Sequence, residues 1–283
     1  MRSKIFIVQS LKKLINLKKK IYLEFLFLII LGALTSLSLP PYNYLFINFF
    51  TIGLFFLFIF QKKNSLKKKY SFLYGWLYGF GYFLTNLYWI TISLTFDENF
   101  GFIIPFALIL IPSFLGIFYG LATYGFFLLK IKNPISNLFL FSLLFGLTEF
   151  LRGNILTGFP WNLIAFSFSE NLEILQILSF IGTYGFNILC ISFFASPAIF
   201  ILRENNKEIF VSIIFLLSPI FFFPIGSTII KSFQLSDIIH NDYVIRTVSS
   251  KIDLDRFYGN TDTVDTINEL IEISQPDLET KIV

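Results

Sequence analysis

Two ionisable side chains stand out in an apolar stretch, LTEFLRGNILTGFPWN (147–162): Glu149 and Arg152. Three residues apart on a helix, they face the same side and can pair. Ionisable groups at membrane depth are costly enough that they are usually paired or functional. Two chemistries are open to them. The pair can staple the end of its helix to the segment that follows, or Arg152 can meet a phospholipid phosphate, which suits a guanidinium. Gly158 and Pro160 then turn the chain back, leaving Phe159 and Trp161 at the interface, where Trp161 either anchors a surface-lying loop or touches lipid. Tyr88 and Trp89, in LYWI, either join an interfacial aromatic belt or line a cavity. The single cysteine and single histidine exclude an intrachain disulfide, a cysteine metal cluster and a multi-histidine site. Cys190, inside GFNILCISFF, reads as packing, because a thiol in apolar surroundings is inert. No metal and no cofactor are expected.

The elements that must position these residues are built for lipid. The 283 residues are 55% hydrophobic and 14% charged, include 40 phenylalanines, and have a mean hydropathy of +0.73. Soluble domains are typically about 25% charged and 45–50% apolar. An AT-rich coding sequence would also enrich Phe, Ile, Lys and Asn, but one soluble core of this size cannot hide so many phenyl rings. A bilayer core takes roughly 20 apolar helical residues. Seven runs qualify, at about 21–39, 42–60, 71–94, 102–129, 135–151, 174–202 and 209–230. None reads as a cleavable signal peptide.

Charge in the connections sets the expected orientation. Lys12, Lys13 and Lys18 to Lys20 precede the first run; Lys62, Lys63 and Lys67 to Lys69 follow the second. Lys130 and Lys132 follow the fourth, Arg203 and Lys207 the sixth. The intervening connections are uncharged, acidic, or carry Arg152 as their only basic residue. Basic connections stay cytoplasmic, so the N-terminus is expected inside and residues after about 231 outside. The net charge of +4 sits in these flanking clusters and is no nucleic-acid signal. Gly75 with Gly79, and Gly116 with Gly120, are spaced four apart, which lets helix backbones approach closely.

The pattern changes after Lys231. NDYVIRTVSS (241–250) has strand-forming composition. In TDTVDTINELIEI (261–273), Val264, Ile267, Leu270 and Ile271 recur at helical spacing, with Thr261 as a candidate cap. KIV (281–283) reads as the start of another strand. A strand, a helix and a strand stub bury no core by themselves. The expected organisation is therefore an all-α polytopic membrane domain of about seven transmembrane helices, 1–231, followed by the first β-α-β elements of an incomplete α/β domain, 232–283.

EFLRGNILTGFPWN resembles the hallmark segment of bacterial apolipoprotein N-acyltransferases, Glu-Trp-Leu-Arg-Gly followed by Thr-Gly-Phe-Pro-Trp. LSLPPYN (37–43), YGFGYFLTNLYWI (78–90) and LQILSFIGTYGFNILC (175–190) resemble further segments of that family in the same order. So does the tail YVIRTVSSKIDLDRFY, which extends the similarity over nearly the whole chain. The resemblance implies a multi-pass, monomeric enzyme of the bacterial inner membrane, with a phospholipid acyl donor and an apolipoprotein acceptor and without nucleic acid. It implies acylation of the N-terminal S-diacylglyceryl cysteine, the last step of lipoprotein maturation. It places the catalytic Glu, Lys and Cys in a nitrilase-like periplasmic domain. This sequence has no Trp-Pro-Glu, the family's motif for that Glu, so the three catalytic groups are expected beyond Val283 and the chain alone is expected to be inactive. Truncated product, partial reading frame and half of a split enzyme all fit. Cys190 does not substitute, and no catalytic role maps to Glu269 or Glu272. The residues left to the membrane part as lipid or substrate contacts are Glu149, Arg152, Trp161, Tyr88 and Trp89. The alternative is a non-catalytic lipid-binding or scaffold protein of the same descent. A transporter is disfavoured by the scarcity of charge within the runs and by the lack of an inverted repeat.

Overall fold

The computed structural model describes residues 21–63, 68–129, 131–235 and 263–274. Each of the seven apolar runs holds a helix: α1 Ile21–Thr35, α2 Ile47–Lys62, α3 Lys68–Leu87, α4 Ile104–Leu128, α5 Pro134–Asn154, α6 Leu178–Leu202 and α7 Asn206–Leu235. Five of them are long and apolar enough to cross a membrane, namely α1, α4, α5, α6 and α7 with their adjoining turns. The count of seven from the sequence is thus met by five on length and composition. α2 has only 16 residues, and α3 interrupts its apolar face with Ser71, Thr85, Asn86 and four tyrosines.

Local chemistry sets the boundaries. Asn133 caps α5 by accepting the Ser136 N–H at 3.0 Å, with Pro134 in the first turn, where its missing N–H costs nothing. Gly182, at φ +68°, breaks α6 near its start. α3 lies against α1 and α4, α5 against α4 and α6, and α2 against α6. The four-residue glycine spacing serves the α3–α4 contact. A Cβ on Gly75 would stand 2.2 Å from the Tyr119 carbonyl oxygen, and one on Gly79 would stand 3.1 Å from the Gly116 Cα.

The interior is aromatic. Phe55 stacks on Tyr78 with centroids 3.9 Å apart, and Phe141, Phe145, Phe126 and Tyr119 close around them. Many other large apolar side chains point outward, including Phe106, Leu110 and Phe114 of α4 and Ile213, Ile220 and Phe221 of α7. Apolar surface on that scale calls for lipid as its solvent.

The ends of the bundle differ. At one, Glu24 of α1 is buried and paired with Lys62 of α2, while the Tyr74 hydroxyl of α3 donates to the same carboxylate. Beside them Lys63 donates to Asn137 Oδ1 at 2.5 Å and sits 4.3 Å from the centre of the Phe126 ring. Lys63 also donates to the Ile131 carbonyl at 3.4 Å, which brings the end of α2 to the segment before α5. The other end carries the longer connections, 36–46, 88–103 and 155–177, whose described parts include 3-10 turns at Ser36–Ser38, Tyr88–Thr95, Glu98–Ile103 and Ile164–Phe168.

Residues 235–283 form a separate unit. Within it α8, Thr263–Ser274, is the helix expected at 261–273, and Val264, Ile267 and Ile271 are exposed. The strands expected at 241–250 and 281–283, and the cap Thr261, lie outside the described residues; no strand occurs among the described ones.

Candidate functional site

The last turn of α5 brings Glu149 and Arg152 into the protein, 1% and 2% exposed. Arg152 Nε donates to Glu149 Oε2 at 2.9 Å, and Nη2 donates to the same oxygen. The remaining guanidinium nitrogen, Nη1, donates to the Phe159 carbonyl at 2.7 Å. Aromatic faces cover the cation: its centre lies 5.0 Å from the Phe83 ring and 5.7 Å from the Phe159 ring.

The loop after α5 is folded to make that third bond. Ile155 N–H closes the helix on Leu151 O at 2.8 Å, and Leu156 takes a left-handed conformation at φ +60°. Gly158, at φ +75°, donates to Ile155 O at 3.0 Å; a Cβ there would stand 2.4 Å from Gly153 O. Only glycine meets both conditions at low cost. The chain thereby doubles back, and Phe159 N–H donates to Arg152 O at 2.9 Å. Further along, the Tyr82 hydroxyl donates to the Asn162 carbonyl at 2.9 Å, and Asn187 Oδ1 of α6 accepts the Ala165 N–H at 3.0 Å. Asn162 holds φ +59°, a conformation asparagine tolerates better than most residues.

Trp161 projects from this loop and stacks on Trp89, with ring centroids 5.6 Å apart and planes 18° from parallel. Both are exposed, as is Tyr88. The five candidate residues therefore form two pairs and one neighbour: Glu149 with Arg152 inside, Trp89 with Trp161 at the surface, and Tyr88 beside Trp89. Sequence reasoning missed Tyr82, Phe83 and Asn187, which pin the loop from other helices. Their positions in YGFGYFLTNLYWI and GFNILCISFF were visible, but nothing in the spacing points 80 residues along the chain from Tyr82 to Asn162.

Two cavities flank the loop. One, of about 470 Å³, is walled by Ile90, Leu110, Phe114, Leu156 and Phe159, with Arg152 at its edge. The other, of about 450 Å³, is walled by Ser36, Pro40, Asn86, Trp89 and Asn162, among others. Among the described residues, no cluster of His, Cys, Asp and Glu could hold a metal ion. Cys190, the one thiol, is 2% exposed inside α6.

Residues 31–196 match the family model for the apolipoprotein N-acyltransferase N-terminal domain. That span runs from α1 to α6 and includes the clamped loop and both cavities. Proteins named apolipoprotein N-acyltransferase are among the relatives. The one from Rhodopseudomonas palustris is 35% identical over 182 residues, covering 62% of this chain and 33% of the relative. Those from Allorhizobium ampelinum and Rhizobium etli are 31% and 34% identical, each over 62% of this chain and 34% of the relative. The aligned region thus spans about a third of the length of these relatives. With more than half of its residues inside the family model, the chain belongs to the apolipoprotein N-acyltransferase family.

Proposed function

We propose that these residues are the membrane-embedded module of an enzyme that moves an acyl chain from a phospholipid to the α-amino group of the N-terminal S-diacylglyceryl cysteine of apolipoproteins. The observation that carries the reading is the loop held by Arg152, which walls an apolar cavity of about 470 Å³ at one end of the bundle. An apolar cleft of that size suits part of an acyl chain. Trp89, Trp161 and Tyr88 are then the lipid contacts. Arg152 and Glu149 act through the loop, because the guanidinium is already bonded to protein on all three nitrogens.

In this reading α2 and α3 cross the bilayer along with the five longer helices, giving seven spans in the bacterial inner membrane. The Lys62–Glu24 end faces the cytoplasm. The Trp89–Trp161 end, and residues after about 231, face the periplasm, the latter forming part of a nitrilase-like domain. The module works as a monomer.

The reaction needs an accessible thiol to take the acyl group as a thioester before the acceptor amine receives it. Cys190 cannot serve, being enclosed by apolar side chains of α6 and its neighbours. On this reading the thiol comes from a polypeptide segment outside these 283 residues, whose one cysteine is buried, and the chain alone is expected to be inactive. That same burial is what favours the second reading, a lipid-binding scaffold of the same descent.

The test is complementation. In cells depleted of their own N-acyltransferase, residues 1–231 are expressed alone or fused to the remainder of the Rhodopseudomonas palustris relative, and lipoprotein N-termini are read by mass spectrometry. N-acylation with the fusion only is expected. Its absence from both, at normal membrane levels, would leave the scaffold reading.

A further inference from the structure

Three elements pack together inside the bundle: α2, α6 and the 3-10 turn Ile164–Phe168. The Phe194 ring of α6 lies 5.1 Å from that of Phe49 in α2 and 5.8 Å from that of Phe168 in the turn. Ile52, Ile164 and Ile191, one from each element, line a shared cavity of about 20 Å³. Asn48 stands one turn before Ile52, and Asn187 one turn before Ile191. Residues four apart share a helix face, so both amides are on the faces that look toward this junction. Both helices run away from the Trp89–Trp161 end, which puts both amides on the same side of the cavity.

Asn48 and Asn187 are fully buried. Asn187 Oδ1 accepts the Ala165 N–H at 3.0 Å, but its Nδ2 has no hydrogen-bond partner in the protein. Asn48 has none at either Nδ2 or Oδ1. Buried polar groups left in that state are costly, and nearly all in native proteins are bonded to protein or to water. The missing partner must both accept from N–H and donate to C=O. No charged residue lines the neighbouring cavity, so an ion would find no counter-charge there. An acyl chain would leave the amides unpaired. The cavity has room for a single water and nothing much larger.

We propose that ordered water binds at this junction, accepting the Asn187 Nδ2 hydrogen and bonding to the Asn48 amide. The bridge survives either flip of Asn48, because water donates to Oδ1 as readily as it accepts from Nδ2. It fastens the turn Ile164–Phe168 to α2 as well as to α6, behind the loop that Arg152 clamps. The inference does not require acyl transfer, so it stands or falls separately from the complementation result.

The experiment is hydroxyl-radical footprinting of the full chain in maltoside detergent, with short X-ray pulses and a mass-spectrometric readout. Radicals born from bound water oxidise side chains that bulk water does not reach. The reporters are Ile52, Ile164 and Ile191. The controls are Ile59 and Ile199, deeper in the same two helices and at least as buried. Oxidation of the reporters roughly tenfold faster than that of the controls is expected. Asn48→Leu is expected to bring the reporters down to the control rate, whereas Asn48→Ser keeps a hydroxyl for the water and leaves them oxidised. If Asn48→Leu unfolds the chain, the controls rise as well, and the parent with Asn48→Ser decides. Reporters no faster than controls in the parent, reporters still fast in a folded Asn48→Leu, or reporters silenced in Asn48→Ser would each overturn the proposal.

Discussion

Arg152 and Phe159 hold each other through two reciprocal hydrogen bonds: Phe159 N–H to Arg152 O at 2.9 Å, and Arg152 Nη1 to Phe159 O at 2.7 Å. The six residues between them are thus closed into a loop, and Trp161, two residues beyond it, stacks on Trp89. Glu149 neutralises the charge that makes the second bond strong, so the acid, the cation and the loop form one unit.

Removing the cation should therefore cost more than a surface ion pair. Arg152→Gln leaves Glu149 buried without its partner, and a broken buried pair typically costs about 3–5 kcal/mol. Arg152→Lys should rescue only part of this, since an ammonium lacks the planar fork. The double variant Glu149→Gln with Arg152→Met should recover thermal stability in detergent while remaining open to proteolysis within residues 155–162. A double variant as protease-resistant as the parent would show that Arg152 does not hold the loop.

Gly158→Ala meets both a left-handed backbone and a carbonyl 2.4 Å from the new methyl group. Strain of this kind costs on the order of 1–3 kcal/mol. Gly101→Ala is the internal control, because nothing lies within 4 Å of its added Cβ, and it should change stability by no more than about 0.5 kcal/mol. Thermal melts of the two variants side by side check the contrast.

Gly79→Leu should separate α3 from α4. The added side chain has no room between Tyr119 and the Gly116 backbone. Because small residues at such contacts let backbones pack closely, a cysteine pair crosslinking the two helices should lose yield in this variant. Undiminished crosslinking would contradict the packing described.

Burial lowers the Lys63 amine to about 8. The shift favours the neutral, nucleophilic form, so labelling of Lys63 by an amine-reactive reagent should rise with pH and be half-maximal near pH 8. Asn137→Leu removes an acceptor of the ammonium and should move that midpoint lower still. Mass-spectrometric labelling rates between pH 6 and 10 read it directly; a midpoint above pH 10 would show that the amine is solvated.

Much of this site was legible in local sequence. The three-residue spacing of Glu149 and Arg152 announced the pair, and Gly158 with Pro160 announced the reversal. The glycines four apart on α3 and α4 announced a close helix contact. What was not legible is non-local. The stack of Trp89 on Trp161, the bond from Tyr82 to Asn162, and the bond from Asn187 to the Ala165 N–H all join separate elements. Helix count was ambiguous for a physical reason: α2 is short and α3 is rich in tyrosine, so hydropathy alone does not decide whether they cross. The bond from Arg152 Nη1 to the Phe159 carbonyl, which bears on the choice between staple and phosphate ligand, is disclosed by no pattern of residue types.

The central claim is that the loop bearing Trp161 faces away from the cytosol. Cysteine labelling in spheroplasts with a membrane-impermeant maleimide tests it most directly, since the native Cys190 is buried and should stay silent. Tyr44→Cys and Glu170→Cys, at the Trp89–Trp161 end, should label in intact spheroplasts, whereas Lys132→Cys should label only after permeabilisation. Labelling of Lys132→Cys in intact spheroplasts, with Tyr44→Cys and Glu170→Cys protected, would contradict the account.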